Sequence, residues 1–100
     1  MDAEYVGSGA SYCVLIIYDI VNNKKRNAFA KKMAGYGYRV QKSAFEARLS
    51  MQKYHKLLEE IPALIDAAKD SVRVYKMTEF GQVSLFGQNL TIENEDVIII

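Results

Sequence analysis

The 100-residue chain contains one cysteine, one histidine and one proline, and it has no long apolar run. A single cysteine excludes an internal disulfide, so stability must come from the core. Cys13 lies within an apolar stretch and reads as a packed, inert thiol to which no chemistry is assigned. One histidine without a second His or a Cys pair builds neither a zinc site nor a catalytic triad. There is also no glycine-rich loop to cradle a nucleotide. His55 follows Tyr54 among lysines and reads as a surface residue. No stretch is long enough to cross a bilayer, and Asp2 and Glu4 stand where an export signal would be basic and then apolar. A cytoplasmic protein with no membrane partner is expected.

What the chain does contain is ordinary in bulk and uneven along its length. Half of the residues are hydrophobic and a quarter charged, the balance of one globular domain. Residues 19–58 hold ten Lys or Arg against two acids, Asp19 and Glu46, a balance of +8; the remainder therefore carries −7 against a total of +1. This division suits a polyanion-binding surface set apart from an acidic region. A set of solvated helix faces fits the same counts.

Tyr12 to Ile20 places eight apolar or aromatic residues around one carboxylate and predicts the central strand. Tyr12, Val14, Ile16 and Tyr18 point one way; Cys13, Leu15, Ile17 and Asp19 point the other. Neither face is polar. One layer of helices from so short a chain covers only one of them, so a second copy is expected on the other, in a homodimer with sheets packed face to face. Residues 1–11, with Gly7-Ser8-Gly9, read as a flexible leader, and 12–100 as a single domain.

Asn22 or Asn23 can cap a helix over 23–35, with Phe29 and Met33 at i and i+4 and Gly35 or Gly37 to end it. Tyr38 to Leu49 has strand composition without a Pro or Asn-Gly turn signal, and two short strands are expected to break near Lys42-Ser43. Ser50 caps a second helix carrying Tyr54, Leu57, Leu58, Ile61, Leu64 and Ile65, with Pro62 expected to kink its last turns. Strands follow at 71–77 and 81–86. The closing Val97 to Ile100 would be a sticky edge unless paired. The order is that of an α+β, ferredoxin-like βαββαβ domain with extra strand material at the C-terminus.

Lys24, Lys25 and Arg26 fall in the first turn of the first helix, where the macrodipole disfavours cations. Phosphate would reverse that penalty, since free N–H groups and positive charge point at one anion; side chains reaching into water are the plainer alternative. Asp19 could cap, pair with a cation, or bind metal. Magnesium needs only one or two carboxylates besides phosphate oxygens and water, so two Asp19 copies across a twofold axis would serve. Phe45 alternates with basic neighbours and could stack on a base, although an aromatic in a strand is usually core.

Tyr18-Asp19-Ile20 at the end of an apolar strand, Arg26 in the next helix, the run Gly35 to Glu46 and the run Asp70 to Tyr75 together resemble the CRISPR-associated Cas-two family, the small subunit of spacer acquisition. The resemblance covers residues 12–100. It implies a ferredoxin-like homodimer whose C-terminal strands pair with the partner, and Asp19 from each chain holding one Mg2+ between the subunits. Arg26, Arg39 and Phe45 match positions implicated in catalysis or substrate contact, and Lys42 joins Lys24, Lys25, Arg26, Arg39 and Phe45 as candidate nucleic-acid contacts. Asn22, Asn23 and Ala28 stand where relatives often carry acids and a second arginine.

Two functions compete. As an enzyme, the chain would be a magnesium-dependent endonuclease on RNA or DNA, with Asp19 as ligand and Arg26 or Arg39 stabilising transition-state charge. As an adaptor, the dimer would lay its basic surface on duplex DNA and offer its acidic tail to the larger CRISPR integrase subunit. The adaptor is favoured as biological role, with nuclease activity as a retained property; a toxin-like endoribonuclease outside CRISPR immunity is the alternative. An RNA-recognition module is disfavoured, because Ala44 to Leu49 lacks its paired aromatics.

Overall fold

The structure is a computed structural model that describes residues 11–77 and 82–87. The expected leader at 1–10 and the terminal Val97 to Ile100 lie outside the described residues. Seven elements follow in order: β1 (Ser11–Asp19), α1 (Asn23–Ala34), β2 (Tyr38–Gln41), β3 (Ala44–Ser50), α2 (Met51–Leu64), β4 (Ser71–Met77) and β5 (Gln82–Gly87). They build one sheet in the order β2-β3-β1-β4-β5 with every neighbouring pair antiparallel. β1 is central as its composition demanded, and β3 lies between it and β2, which gives the ferredoxin-like arrangement.

The period-2 alternation of the strands sorts the sheet into two faces. On one face, Val14, Ile16 and Tyr18 of β1, Phe45, Ala47 and Leu49 of β3, and Val72 and Val74 of β4 meet Phe29 and Met33 of α1 and Tyr54, Leu57 and Ile61 of α2 in a single core. Each fully buried side chain of this size contributes about 1.5–3 kcal/mol of transfer free energy. The other face carries no helix among the described residues. Register places Leu15 between Glu46 and Tyr75, and Ile17 between Ala44 and Arg73. Leu15 is only 5 % exposed yet stands apart from the helix-side core, while Ile17, Tyr75, Met77 and Leu85 remain half-exposed.

Both helices start where a polar side chain can satisfy a free backbone donor. Asn22 Oδ1 accepts from the N–H of Lys25 at 2.9 Å, and Ser50 Oγ accepts from that of Lys53 at 3.2 Å. α1 ends at Gly35, after which Tyr36 and Gly37 donate back to the Met33 carbonyl at 2.8 and 3.0 Å. Gly37 is required by close approach, because a Cβ there would strike the Glu46 carbonyl oxygen and lie 2.7 Å from the Ala47 Cβ. α2 continues through Pro62 to Leu64, and the chain leaves it extended at Ile65. The turn between β2 and β3 falls at Lys42-Ser43, next to a register shift between Arg39 and Gln41.

Candidate nucleic-acid interface and the Asp19 position

Asp19 is the last residue of β1, exposed, on the sheet face that carries no helix. The chain then turns from sheet to α1 through Ile20, Val21 and Asn22, and this turn is braced from two sides. From α1, the Arg26 guanidinium donates to the carbonyls of Ile20 at 2.9 Å and Val21 at 3.4 Å. From the loop before β4, Asp70 accepts from the N–H of Val21 at 3.0 Å and of Asp66 at 2.8 Å. Asp70 is 2 % exposed, so both carboxylate oxygens are spent on backbone donors inside the protein. Asp66 in turn receives the N–H groups of Lys69, Asp70 and Ala68, which closes the loop on itself.

These braces leave an open cleft of about 530 Å³ beside the start of α1, lined by Val21, Asn22, Asn23, Lys25, Asp66 and Lys69 together with Asp70. Lys24 and Lys25 are exposed in the first turn of α1, which contains no acid. The cap and the first helical bond occupy the N–H groups of Lys25 and Arg26. Those of Asn23 and Lys24, the first two helical positions, have no intrahelical acceptor and are the donors open to an anion. Of the three cations that the sequence put in this turn, two face solvent and the third, Arg26, holds the turn together.

The remaining candidates separate. Arg39 pairs with Phe45, and Phe45 with Ile16, so Arg39 belongs to the helix-side face, opposite to Asp19. Its guanidinium lies 5.2 Å from the Phe45 ring centroid and donates to the Tyr18 hydroxyl at 3.3 Å. Phe45 is 3 % exposed, stacked at 6.2 Å on Tyr18, so its ring is part of the core and is not available to a base. Lys42 is exposed in the β2–β3 turn, where its carbonyl accepts from the Tyr18 hydroxyl at 3.5 Å. One chain thus does not bring Asp19 and Arg39 together. Among the described residues no three His, Cys, Asp or Glu side chains cluster in a way that could hold a metal.

The Asp19 face carries its own charge pattern. Glu46 accepts from the Tyr38 hydroxyl at 3.1 Å and from the Cys13 thiol at 3.6 Å. The Tyr38 phenol is pushed up by that hydrogen bond, and the Cys13 thiol by burial and then by the Glu46 bond. Arg73 is exposed on the same face, opposite Ile17.

Sequence reasoning missed Asp70 as the keystone of the Asp19 turn. Its partner Val21 is 49 residues away, and no local pattern announces a carboxylate that serves distant backbone donors. No described helix is long and apolar enough to cross a membrane.

Comparison with known proteins gives one consistent result. The family model "CRISPR associated protein Cas2" matches residues 12–85. The CRISPR-associated endoribonuclease Cas2 of Mycobacterium tuberculosis is 38 % identical, covering 95 % of this chain and 83 % of the relative. The CRISPR-associated endonuclease Cas2 of Halalkalibacterium halodurans is 34 % identical, over 86 % of this chain and 97 % of the relative. The crystal structure of hypothetical protein TT1823 from Thermus thermophilus superposes with a TM-score of 0.65 at 29 % identity, covering 69 % of this chain and 84 % of that one. The matched span runs from the central strand into β5 and takes in Asp19, both helices and the Asp70 brace, and the chain belongs to the CRISPR-associated Cas2 family.

Proposed function

We propose that this chain acts in CRISPR adaptation as a homodimeric subunit that binds duplex DNA along its basic surface and docks on a larger integrase subunit, which performs the chemistry. The observation that carries this reading is the first turn of α1. It is free of acids, exposes Lys24 and Lys25, and opens on a cleft bordered by Lys69. Stability alone would place acids there, so the arrangement is best matched by an anion that is absent from the free chain. Dimerisation is supported by the sheet face that no described helix covers, where the partly buried Ile17, Tyr75, Met77 and Leu85 suit a second apolar layer.

The test is fluorescence anisotropy with duplex DNA across a salt series. Four to eight phosphate contacts from two copies give a log-log slope of about −4 to −7. Lys24→Gln with Lys25→Gln should flatten it for all sequences alike, because phosphate contacts position without reading bases. A parent slope near zero, or a double variant that binds like the parent, would reject the reading.

Asp19 favours a second reading, hydrolysis of a phosphodiester in RNA or DNA, in keeping with relatives named as endoribonucleases and an endonuclease. Its exposed carboxylate at a strand end is a suitable hard oxygen donor, and one from each of two chains would meet the one or two carboxylates that magnesium takes beside phosphate oxygens and water. Asp19 of two protomers would hold the ion, which supplies positive charge to the phosphodiester and acidifies a water. The chain's own part is aim: Asp70 and Arg26 fix the turn that follows Asp19. Activity that needs a divalent metal and vanishes in Asp19→Asn supports this reading, whereas activity retained at the parent's rate rejects it.

A further inference from the structure

The basic half of the chain is not confined to the Asp19 end. Ser50 pairs with Ser11, the first residue of β1, so α2 begins at the end of the sheet opposite Asp19. α1, which starts beside Asp19, finishes at that same far end. There a second cleft of about 220 Å³ opens between the helices, lined by Lys32, Gly35 and Tyr36 from the end of α1 and by Lys53, Lys56 and Glu60 of α2. Three lysines from two helices surround one acid.

That acid is already engaged. Glu60 Oε1 accepts from the Tyr36 hydroxyl at 2.7 Å and lies 3.7 Å from Lys32 Nζ. The hydrogen bond from Tyr36 is the leading cause that holds the Glu60 carboxyl below its ordinary range, with Lys32 and Lys56 adding to it, while burial and the Glu60 contact push the Tyr36 phenol up. Lys32 is the one lysine in ion-pair distance of Glu60, and Lys53 and Lys56 at the rim form no ion pair among the described residues. Helix stability explains Lys32, near the negative end of α1's dipole, but not Lys53, in a first turn of α2 that contains no acid. The same departure therefore occurs at the start of both helices.

We infer that the Lys32, Lys53 and Lys56 cleft is a second binding site for backbone phosphate of duplex DNA, at the far end of the helix layer; this rests on the DNA-binding reading above and extends it to residues that reading does not use. The spacing is compatible with one ligand. The twelve residues of α1 span about 18 Å at 1.5 Å per residue, and one B-form strand places about five phosphates in that distance at 3.4 Å each. Lys25 and Lys32, seven residues apart, stand two turns from each other along α1, one beside each cleft.

The experiment compares four proteins by anisotropy with one duplex over a salt series: the parent, Lys24→Gln/Lys25→Gln, Lys53→Gln/Lys56→Gln, and Glu60→Gln. Each lysine that neutralises a phosphate contributes about 0.9 to the slope, so the Lys53/Lys56 variant should flatten it by up to about 1.8 per bound copy. Glu60→Gln still accepts from Tyr36 but removes the one carboxylate that lines the cleft among the described residues, and it should tighten binding about twofold, the size of a unit charge acting across ~8 Å of water. A structural defect would not produce that opposite sign. Arginine at positions 53 and 56 should restore the parent slope. If the parent slope is steep and the Lys24/Lys25 variant flattens it while the Lys53/Lys56 variant does not, this site is rejected and the first reading stands. If the loss at 53 and 56 is not rescued by arginine and Glu60→Gln binds no tighter, the effect lies in the fold and the site is likewise rejected. A parent slope near zero overturns both.

Discussion

Asp70→Asn is the substitution for which the structure makes the most specific claim. The two oxygens of Asp70 accept from the N–H groups of Val21 and Asp66, and the side chain is 2 % exposed. Asparagine keeps the volume and one acceptor but turns an NH2 group toward the other N–H. One buried donor then loses its partner, at about 1–3 kcal/mol, and the surviving bond loses the strength that a charged acceptor provided, about 1 kcal/mol more. A total of about 2–4 kcal/mol is a large part of the 5–15 kcal/mol typical of a domain. For a chain of this size it lowers Tm by roughly 8 °C or more. The measurement is a thermal melt by circular dichroism at fixed protein concentration, because any self-association makes Tm depend on it. The loss should also loosen the turn that carries Val21 and so weaken DNA binding by the Lys24 and Lys25 end. A Tm within 2 °C of the parent would show that Asp70 does not hold this turn.

Tyr36→Phe should cost about 1 kcal/mol by removing the donor to Glu60, and the cost should depend on pH at both extremes. The phenol is raised above its ordinary 10.0, so its contribution is complete below pH 10 and fades as pH rises through the raised value; the Glu60 carboxyl is lowered from 4.5, so its contribution fades as pH falls through the lowered value. Melts should show a constant gap between parent and variant from pH 6 to 9 that closes toward either end; a gap unchanged at high pH would refute the assignment. Gly37→Ala should destabilise by about 1–3 kcal/mol, since its Cβ meets the Glu46 carbonyl, and a neutral result in a urea melt would contradict the close approach. Ile17→Lys, on the sheet face that no described helix covers, should convert the proposed dimer to a monomer in light scattering while leaving the circular dichroism spectrum intact. A dimer mass retained at micromolar concentration would place the partner elsewhere.

The parts of the fold that could be read from sequence are those governed by local periodicity. The double-sided apolar run of β1, the i, i+4 pair Phe29 and Met33, and the 3.6-residue stripe of α2 each encode an element and its buried side, and the structure places them there. Even the turn at Lys42-Ser43 was bounded by its flanking strands, though no turn residue marks it. The site was less legible because its residue roles are set by tertiary neighbours. Arg26 and Arg39 are cations by sequence, yet one spends its guanidinium on the Ile20 and Val21 carbonyls and the other on Tyr18 and the Phe45 ring. Phe45, ambiguous between core and platform, is settled by the face it occupies, which follows from a register with Ile16 that no window of residues contains. The Tyr36 to Glu60 bond joins the turn after α1 to α2 across 24 positions and leaves no mark in either segment.

The residues on which the two proposed functions rest lie on different faces of the sheet. Lysines 24 and 25 project from the helix layer at one end and lysines 53 and 56 at the other, whereas Asp19 lies on the opposite face of the sheet. DNA lying along the helix layer therefore need not touch Asp19, and a partner covering the sheet face need not displace DNA. Arg73 and Arg48, not Arg39, share Asp19's face: register sets Arg73 opposite Ile17, two residues before Asp19 on β1, and Arg48 opposite Cys13 farther along the strand. Any phosphodiester chemistry at Asp19 must draw its charge stabilisation from that face or from a second copy, while the proposed DNA surface draws on neither. Asp19→Asn should accordingly leave the salt slope for duplex DNA unchanged, and a slope that shifts with this substitution would place the DNA across the sheet face instead of the helices.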